Sequence, residues 1–228
     1  MECFVVWEEK VKECFPELCV CVGIIRNVKV EHDNKRTDML RRAVMEEVRS
    51  KYKIEQLKTN PTVRAYRDFF WKLGVDPTKT RPSSEALVRR VLHGMRIPHI
   101  STVVDSYNLA SLKTLIPLSG FDLDLVSPPL YIRFSRENEE FLGIGMDVPA
   151  KLTGQMLVLA DKNHVMCIYP HRDADATKIT NRTKNVLVVG YGAAGINGSW
   201  LVKAVKTALS YIQTTSNGNI EEVEVYKQ

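Results

Sequence analysis

The densest run of chemistry-bearing residues is His171-Arg172-Asp173-Ala174-Asp175-Ala176-Thr177-Lys178, set between two apolar stretches. Polar groups at strand ends are where binding residues usually sit. His171 has the residue type of a general base near neutral pH. Arg172 carries the planar fork that grips a carboxylate or phosphate through paired hydrogen bonds. The same run also reads as a surface loop in which Arg172 pairs with Asp173 or Asp175, and the residues alone leave both readings open. A second set lies upstream. Ser106 and Asn108 fall two apart in the Val103–Leu112 stretch, where Val104, Leu109 and Leu112 can pack inward; a buried asparagine must be hydrogen-bonded, so Asn108 reads equally as structural or substrate-binding. Ser119-Gly120 precedes Phe121, where a small residue lets a ligand approach. Asp122 and Asp124 suit the capping of backbone turns.

Gly190-Tyr191-Gly192-Ala193-Ala194-Gly195 has the G-x-G-x-x-G spacing that lets backbone amides approach a pyrophosphate. Only 33 residues follow Gly195, too few for the remaining βαβ units of a dinucleotide fold. A tight strand-to-helix turn is expected there, with Gly192 as the wall of some other pocket and nucleotide binding as a minor alternative. The five cysteines include Cys14, Cys19 and Cys21 in or beside one apolar run, with Cys3 and Cys167 apart. They read as free, small buried hydrophobes. The histidines are scattered, so no metal site and no cofactor are expected.

These residues need elements to position them. The 228-residue chain is 44% hydrophobic and 26% charged, enough for a sizeable core. A buried strand is expected over Leu18 to Val28. Leu40, Val44 and Val48, four apart, predict a helix from Thr37 to about Tyr52. Asn60-Pro61 starts a second helix that Gly74 closes. Ser84 opens a third, Glu85 to His93, and a fourth runs from about Thr102 to Thr114. Beyond Pro117 the period shortens. Strands are expected at Leu130–Phe134, Gln155–Ala160, Val165–Tyr169 and Asn185–Tyr191, then a helix at about Ser199–Gln213 and a last strand, Ile220–Tyr226. Helices first and strands later give an α+β fold, read as a single domain over 1–228. No apolar run is long enough for a membrane helix, and the start lacks a basic leader, so a soluble cytoplasmic protein is expected.

Net charge is +5, but it is unevenly spread. Residues 26–96 hold eighteen Lys and Arg against nine Asp and Glu, while the rest holds fourteen against eighteen. A basic segment on a mildly acidic chain points to a polyanion, most simply nucleic acid. Arg41, Arg42, Arg89 and Arg90 are the candidate phosphate contacts, with structural ion pairing as the competing role for Arg89 and Arg90.

Five blocks in order carry a resemblance: Arg89-Arg90-Val91-Leu92, Val103-Val104-Asp105-Ser106-Tyr107-Asn108, Gly120-Phe121-Asp122-Leu123-Asp124, Leu157-Val158-Leu159-Ala160-Asp161 and Thr183-Lys184-Asn185-Val186-Leu187. From Ser83 to about Val189 the chain resembles the B3/B4 domain of the phenylalanine–tRNA ligase β subunit, without that enzyme's synthetase modules. The resemblance implies helices on a β-sandwich-like core, a motif-bearing part at about 83–195, and editing: hydrolysis of tRNA charged with the wrong amino acid. It implies tRNA, through its acceptor end, as partner. Asn108 stands at the family's asparagine, Tyr107 at its threonine, and Tyr169 to Ala174 at its glycine-rich pocket wall. Ser119 and Val189 stand where the family has a histidine and a glutamate, so selection of tyrosine does not carry over. The expected site is therefore His171, Arg172 and Asn108 as catalytic residues, with Ser106, Tyr107, Ser119, Gly120, Tyr169, Asp173 and Gly192 around the substrate. Editing of another amino acid or ester, and RNA binding without catalysis, both stay open.

Overall fold

The computed structural model describes residues 5–228; Cys3 lies outside them. Strand Val5–Trp7 (β1) and a short helix, Glu9–Cys14 (α1), precede the apolar strand Cys19–Arg26 (β2). Five helices follow: Lys35–Lys51 (α2), Ile54–Leu57 (α3), Pro61–Lys72 (α4), Ser83–Leu92 (α5) and Thr102–Thr114 (α6). Then come strands Leu118–Asp122 (β3), Leu130–Phe134 (β4), Glu137–Phe141 (β5), Ala150–Thr153 (β6), Leu157–Ala160 (β7), Val165–Ile168 (β8), Arg172–Asp173 (β9) and Val186–Tyr191 (β10). Helix Gly198–Ser216 (α7) and strand Asn219–Lys227 (β11) complete the order.

The helix starts follow from their caps. Asn34, Asn60, Ser101 and Asn197 each accept a backbone N–H of the first turn, and Pro61 occupies a position whose N–H would have no partner. Gly74, at φ 74°, lets the chain turn away after α4. One expectation needs correction. Ser84 does not open α5; Pro82 occupies the N-cap position without a side-chain bond, and Ser84 is buried inside the first turn.

Two main sheets result. One has the order β1-β4-β7-β8-β9 and the other β11-β2-β10-β3, with β5 and β6 as a separate hairpin. A single buried cluster joins them, with Val20, Ile25, Phe121 and Val188 from one sheet and Ile132 and Leu159 from the other. Helix α7 covers the second sheet so closely that a Cβ on Gly23 would lie 2.6 Å from Val205 and 2.8 Å from Leu209. A separate cluster, including Val44, Val88, Leu109 and Leu112, forms beneath α2, α5 and α6. The architecture is α+β, as the change of period indicates. The short elements β1, α1, α3, β3, β5, β6 and β9 went unread because two to six residues show no period.

Gly192 is set by packing. Its N–H donates to the Cys19 carbonyl at 2.9 Å, and a Cβ there would lie 2.3 Å from that same oxygen. Helix α7 begins only at Gly198, beyond the turn. Gly192 therefore serves close approach of two backbones rather than a substrate. Gly192→Ala is expected to destabilise the fold by roughly 1–3 kcal/mol, the usual cost of overpacking, as read by chemical denaturation.

Candidate functional site

The basic surface is built on α5 and the loop before it. Asp76 holds that loop, its side chain accepting from the Thr78 N–H at 2.8 Å and the Thr78 hydroxyl at 2.7 Å. Those bonds draw the Asp76 carboxyl below its ordinary range. Arg67 of α4 forks onto Glu85 of α5 at 2.8 and 2.6 Å, and Glu85 is 1% exposed. Arg89, one turn on, approaches the same carboxylate at 3.7 Å. The outcome is a concave surface of about 510 Å³ lined by Lys79, Arg81, Arg89, Arg90 and His93, together with Ala86 and Met95. No carboxylate lines it. Arg90 also donates to the Arg96 carbonyl at 3.1 and 2.9 Å, which orients its guanidinium.

The other arginines predicted to meet phosphate divide. Arg42 is exposed on α2. Arg41 is not available: it donates to Asp38 at 2.6 Å and to buried Asp105 at 2.7 Å, beside His99. A guanidinium already committed to two carboxylates is an internal ion-pair partner.

The loop's other side forms a cleft of about 380 Å³. Phe70 of α4, with Leu73 and Val75 after it, and Met156, Leu157 and Ile168 of the first sheet's strands and their flank line it, together with Tyr169 and His171. Desolvation, with the Arg172 charge beside it, pushes the His171 pKa below its ordinary value, although the side chain borders solvent. Arg172 is exposed, its stem packed over Gly143 where a Cβ would lie 2.5 Å from Arg172 Cδ. It pairs with neither aspartate: Asp173 accepts from the Ser119 hydroxyl at 2.7 Å, and Asp175 accepts from Lys178 at 2.6 Å.

Ser119 and Asp173 belong instead to the interior. Ser119 and Val189, at the family's histidine and glutamate positions, are direct cross-strand partners between β3 and β10. The Tyr107 ring lies on Gly120, where a Cβ would be 2.6 Å from its Cε1. The space expected to admit a ligand at Gly120 is thus filled by Tyr107. Tyr169 donates to the Gly192 carbonyl at 2.9 Å, and Tyr66 donates to that of Tyr191 at 2.5 Å. Burial raises the pKa of all four tyrosines.

The expected constellation is therefore split over separate places. Ser106 is fully buried, donating to the Thr102 carbonyl at 2.6 Å and meeting Thr215 of α7 at 2.8 Å. It ties two helices together rather than facing a pocket. Asn108 is half-buried on α6, and its amide makes no hydrogen bond among the described residues. Neither Asn108 nor Ser119 lines the cleft that His171 faces. Lys79, Arg81 and His93 were not singled out in the sequence. For His93 the signal was its helical spacing from Ala86, Arg89 and Arg90, at the end of α5; Lys79 and Arg81 lie in the loop before the helix, where no spacing marks them.

Burial raises the Asp173 carboxyl to about 6, against the lowering effect of its bonds from Ser119 and Cys167. The folded state thus holds this proton more tightly than the unfolded chain. The stabilisation is fully present below about pH 4 and is lost as pH rises to about 6. Asp173→Asn, which cannot ionise, should show a stability advantage over the parent that grows across this window and then levels off. Denaturation midpoints measured from pH 4 to 8 test this.

The sequence signature of the B3/4 domain matches residues 65–214. The chain is 28% identical over 89 residues to the phenylalanine–tRNA ligase beta subunit of Haemophilus ducreyi, covering 39% of this chain and 11% of that one. With the corresponding subunit of Carboxydothermus hydrogenoformans it shares 32% identity over 111 residues, 48% of this chain and 14% of the relative. It spans only these small shares of the curated relatives. Among solved structures, an N-terminal fragment of the phenylalanyl-tRNA synthetase beta-subunit from Pyrococcus horikoshii superposes with a TM-score of 0.51 at 15% identity, over 95% of this chain and 50% of the fragment. That likeness shows the fold. With the signature covering well over half of its length, the chain belongs to the B3/4 domain family.

Proposed function

We propose that this chain is an RNA-binding module whose phosphate contacts lie on the α5 concavity, and that its RNA is tRNA. The observation that carries this reading is the run of Lys79, Arg81, Arg89, Arg90 and His93 around one concave surface with no carboxylate in its lining. Clustered cations are the electrostatic footprint of a polyanion site. The names of the relatives supply tRNA as the candidate. Residues 1–228 act as one unit in this reading, and its setting is the cytoplasm. No helix of the described residues is long and apolar enough to cross a membrane.

A second reading adds hydrolysis of a mischarged aminoacyl ester, favoured by His171, whose pKa is held below its ordinary value, in the lining of a cleft beside the basic surface. An aminoacyl ester is already activated, so a placed water and a stabilised oxyanion suffice. His171 takes the proton of the attacking water as oxygen bonds to the carbonyl carbon. The ester C–O bond then breaks, and the proton passes to the ribose oxygen, releasing amino acid and tRNA. Arg172 does not line the cleft, so the role left to its exposed guanidinium is to hold a phosphate of the same strand outside it, not the developing carboxylate. Asn108 and Ser119 take no part in this version.

Binding should weaken steeply with salt, because each neutralised phosphate releases condensed counterion. Lys79→Ala, Arg81→Ala and Arg90→Ala are each expected to weaken tRNA binding and to reduce the log–log salt slope by roughly 0.7–0.9. Salt-independent affinity would remove the RNA reading. For hydrolysis, the measurement is loss of the ester from tRNAs charged with different amino acids. His171→Ala should abolish turnover and Arg172→Ala should weaken it, each leaving the melting temperature within a few degrees. Turnover at the parent rate in both variants rejects the second reading alone.

A further inference from the structure

The last turn of α2 presents opposite faces to two concave surfaces. Arg49 reaches α5, its Nε donating to the Val91 carbonyl at 3.4 Å. Glu47 and Lys51, on the other face of that turn, line a hollow of about 390 Å³. The start of α4 (Asn60 and Thr62), the end of α6 (Lys113 and Thr114) and α7 complete its walls. It shares no residue with the α5 concavity or with the cleft that His171 lines.

Most polar groups in this hollow are already committed. Asn60 caps α4, and the hydroxyls of Thr114 and Thr207 each donate at 2.7 Å to a carbonyl one turn back. Glu47, the one acidic residue of the lining, accepts from Lys113 at 2.7 Å. Lys203 meets no carboxylate among the described residues, and Lys51 has the Tyr52 ring 5.2 Å away. Trp200 lies one turn before Lys203 on α7, off the stripe of Leu201, Ala204, Val205 and Ala208 that the helix buries. It is 44% exposed, and among the described residues no ring stacks on it and no cation caps it.

Two ammonium groups without a carboxylate and an open indole face are therefore what the hollow offers. An anion that carries a flat ring uses both. A plain carboxylate chain would meet the lysines and leave the ring to water, while an apolar partner would strip water from the lysines with nothing in return. We propose that the hollow is a second RNA contact, which takes a nucleotide from within a single-stranded stretch, its base on Trp200 and its adjoining phosphates at Lys203 and Lys51. A chain leaving the α5 concavity reaches this place by crossing the turn of α2 that carries Arg49. The proposal rests on the RNA-binding reading for its class of ligand, and it requires no terminus of the RNA.

The test uses a circular single-stranded RNA, which has no ends, an abasic ribose-phosphate chain of equal length and a blunt RNA duplex, followed by fluorescence anisotropy at fixed salt. The circle should bind about tenfold more tightly than the abasic chain, in keeping with the worth of one stacked base. Trp200→Ala should remove that difference, Trp200→Phe should retain much of it, and neither should alter duplex affinity or move the melting temperature by more than a few degrees. Trp71→Ala, which deletes a ring that is 56% exposed on α4 outside the hollow, should leave the difference intact. Lys79→Ala should weaken all three ligands. Equal, salt-sensitive binding of the circle and the abasic chain overturns the proposal and leaves the RNA reading standing. So does a difference that survives Trp200→Ala, because the base then stacks elsewhere. Displacement of the circle by oligoglutamate of equal charge, with the same dependence on Trp200, makes an acidic protein segment the occupant and also overturns it. Failure of every RNA to bind removes the RNA-binding reading and this proposal with it.

Discussion

The fork from Arg67 onto Glu85 is the contact on which the functional side of the molecule depends. A carboxylate that is 1% exposed needs a partner, and two charge-assisted bonds of 2.8 and 2.6 Å supply it. Such a pair adds little net stability over an apolar substitute, but losing one member strands a buried charge at a cost of about 3–5 kcal/mol. Its role is positional. It fixes α5 against α4, and so fixes both ends of the loop that divides the basic concavity from the cleft. Glu85 also draws in Arg89, so one anion both joins the helices and orders a cation of the binding face.

The centre of the domain has been given over to aromatic packing. Tyr169 meets both Phe69 and Tyr191 edge-on, at 5.8 and 4.8 Å between centroids, and the hydroxyls of Tyr66 and Tyr169 satisfy carbonyls at the end of β10 and the turn after it. Such rings prefer edge-to-face contact and bury large areas. With Val189 opposite Ser119, the positions that carry polar chemistry in the resembling family are here one apolar residue and one serine bound to Asp173. Open space lies instead outside this packing, past Tyr169, where His171 borders solvent.

Much of the architecture was legible because it repeats. Val44 and Val48 in α2, the Asn60-Pro61 start of α4 and the unbroken apolar run of β10 each announce an element through spacing or capping. The site was less legible, since adjacency in sequence does not decide direction in space. His171, Arg172 and Asp173 are consecutive, yet they face the cleft, the Gly143 backbone and the interior respectively. Alternation sends Arg172 and Asp173 of β9 to opposite faces, and His171 lies in the turn before the strand. Charge was equally ambiguous. Arg41 and Arg90 look alike in the sequence, but Arg41 meets a carboxylate 64 positions away, and only the fold brings the two together.

The seating of Tyr107 on Gly120 restricts how this interior can change. The ring occupies the volume that any side chain at position 120 would need, so the two positions share one allotment of space. Enlarging residue 120 alone produces a collision, and shrinking residue 107 alone leaves a void. Substitutions at these sites are therefore strongly non-additive. The route from this packed interior to one with a central chamber runs through a smaller residue at 107, with Gly120 left as it is.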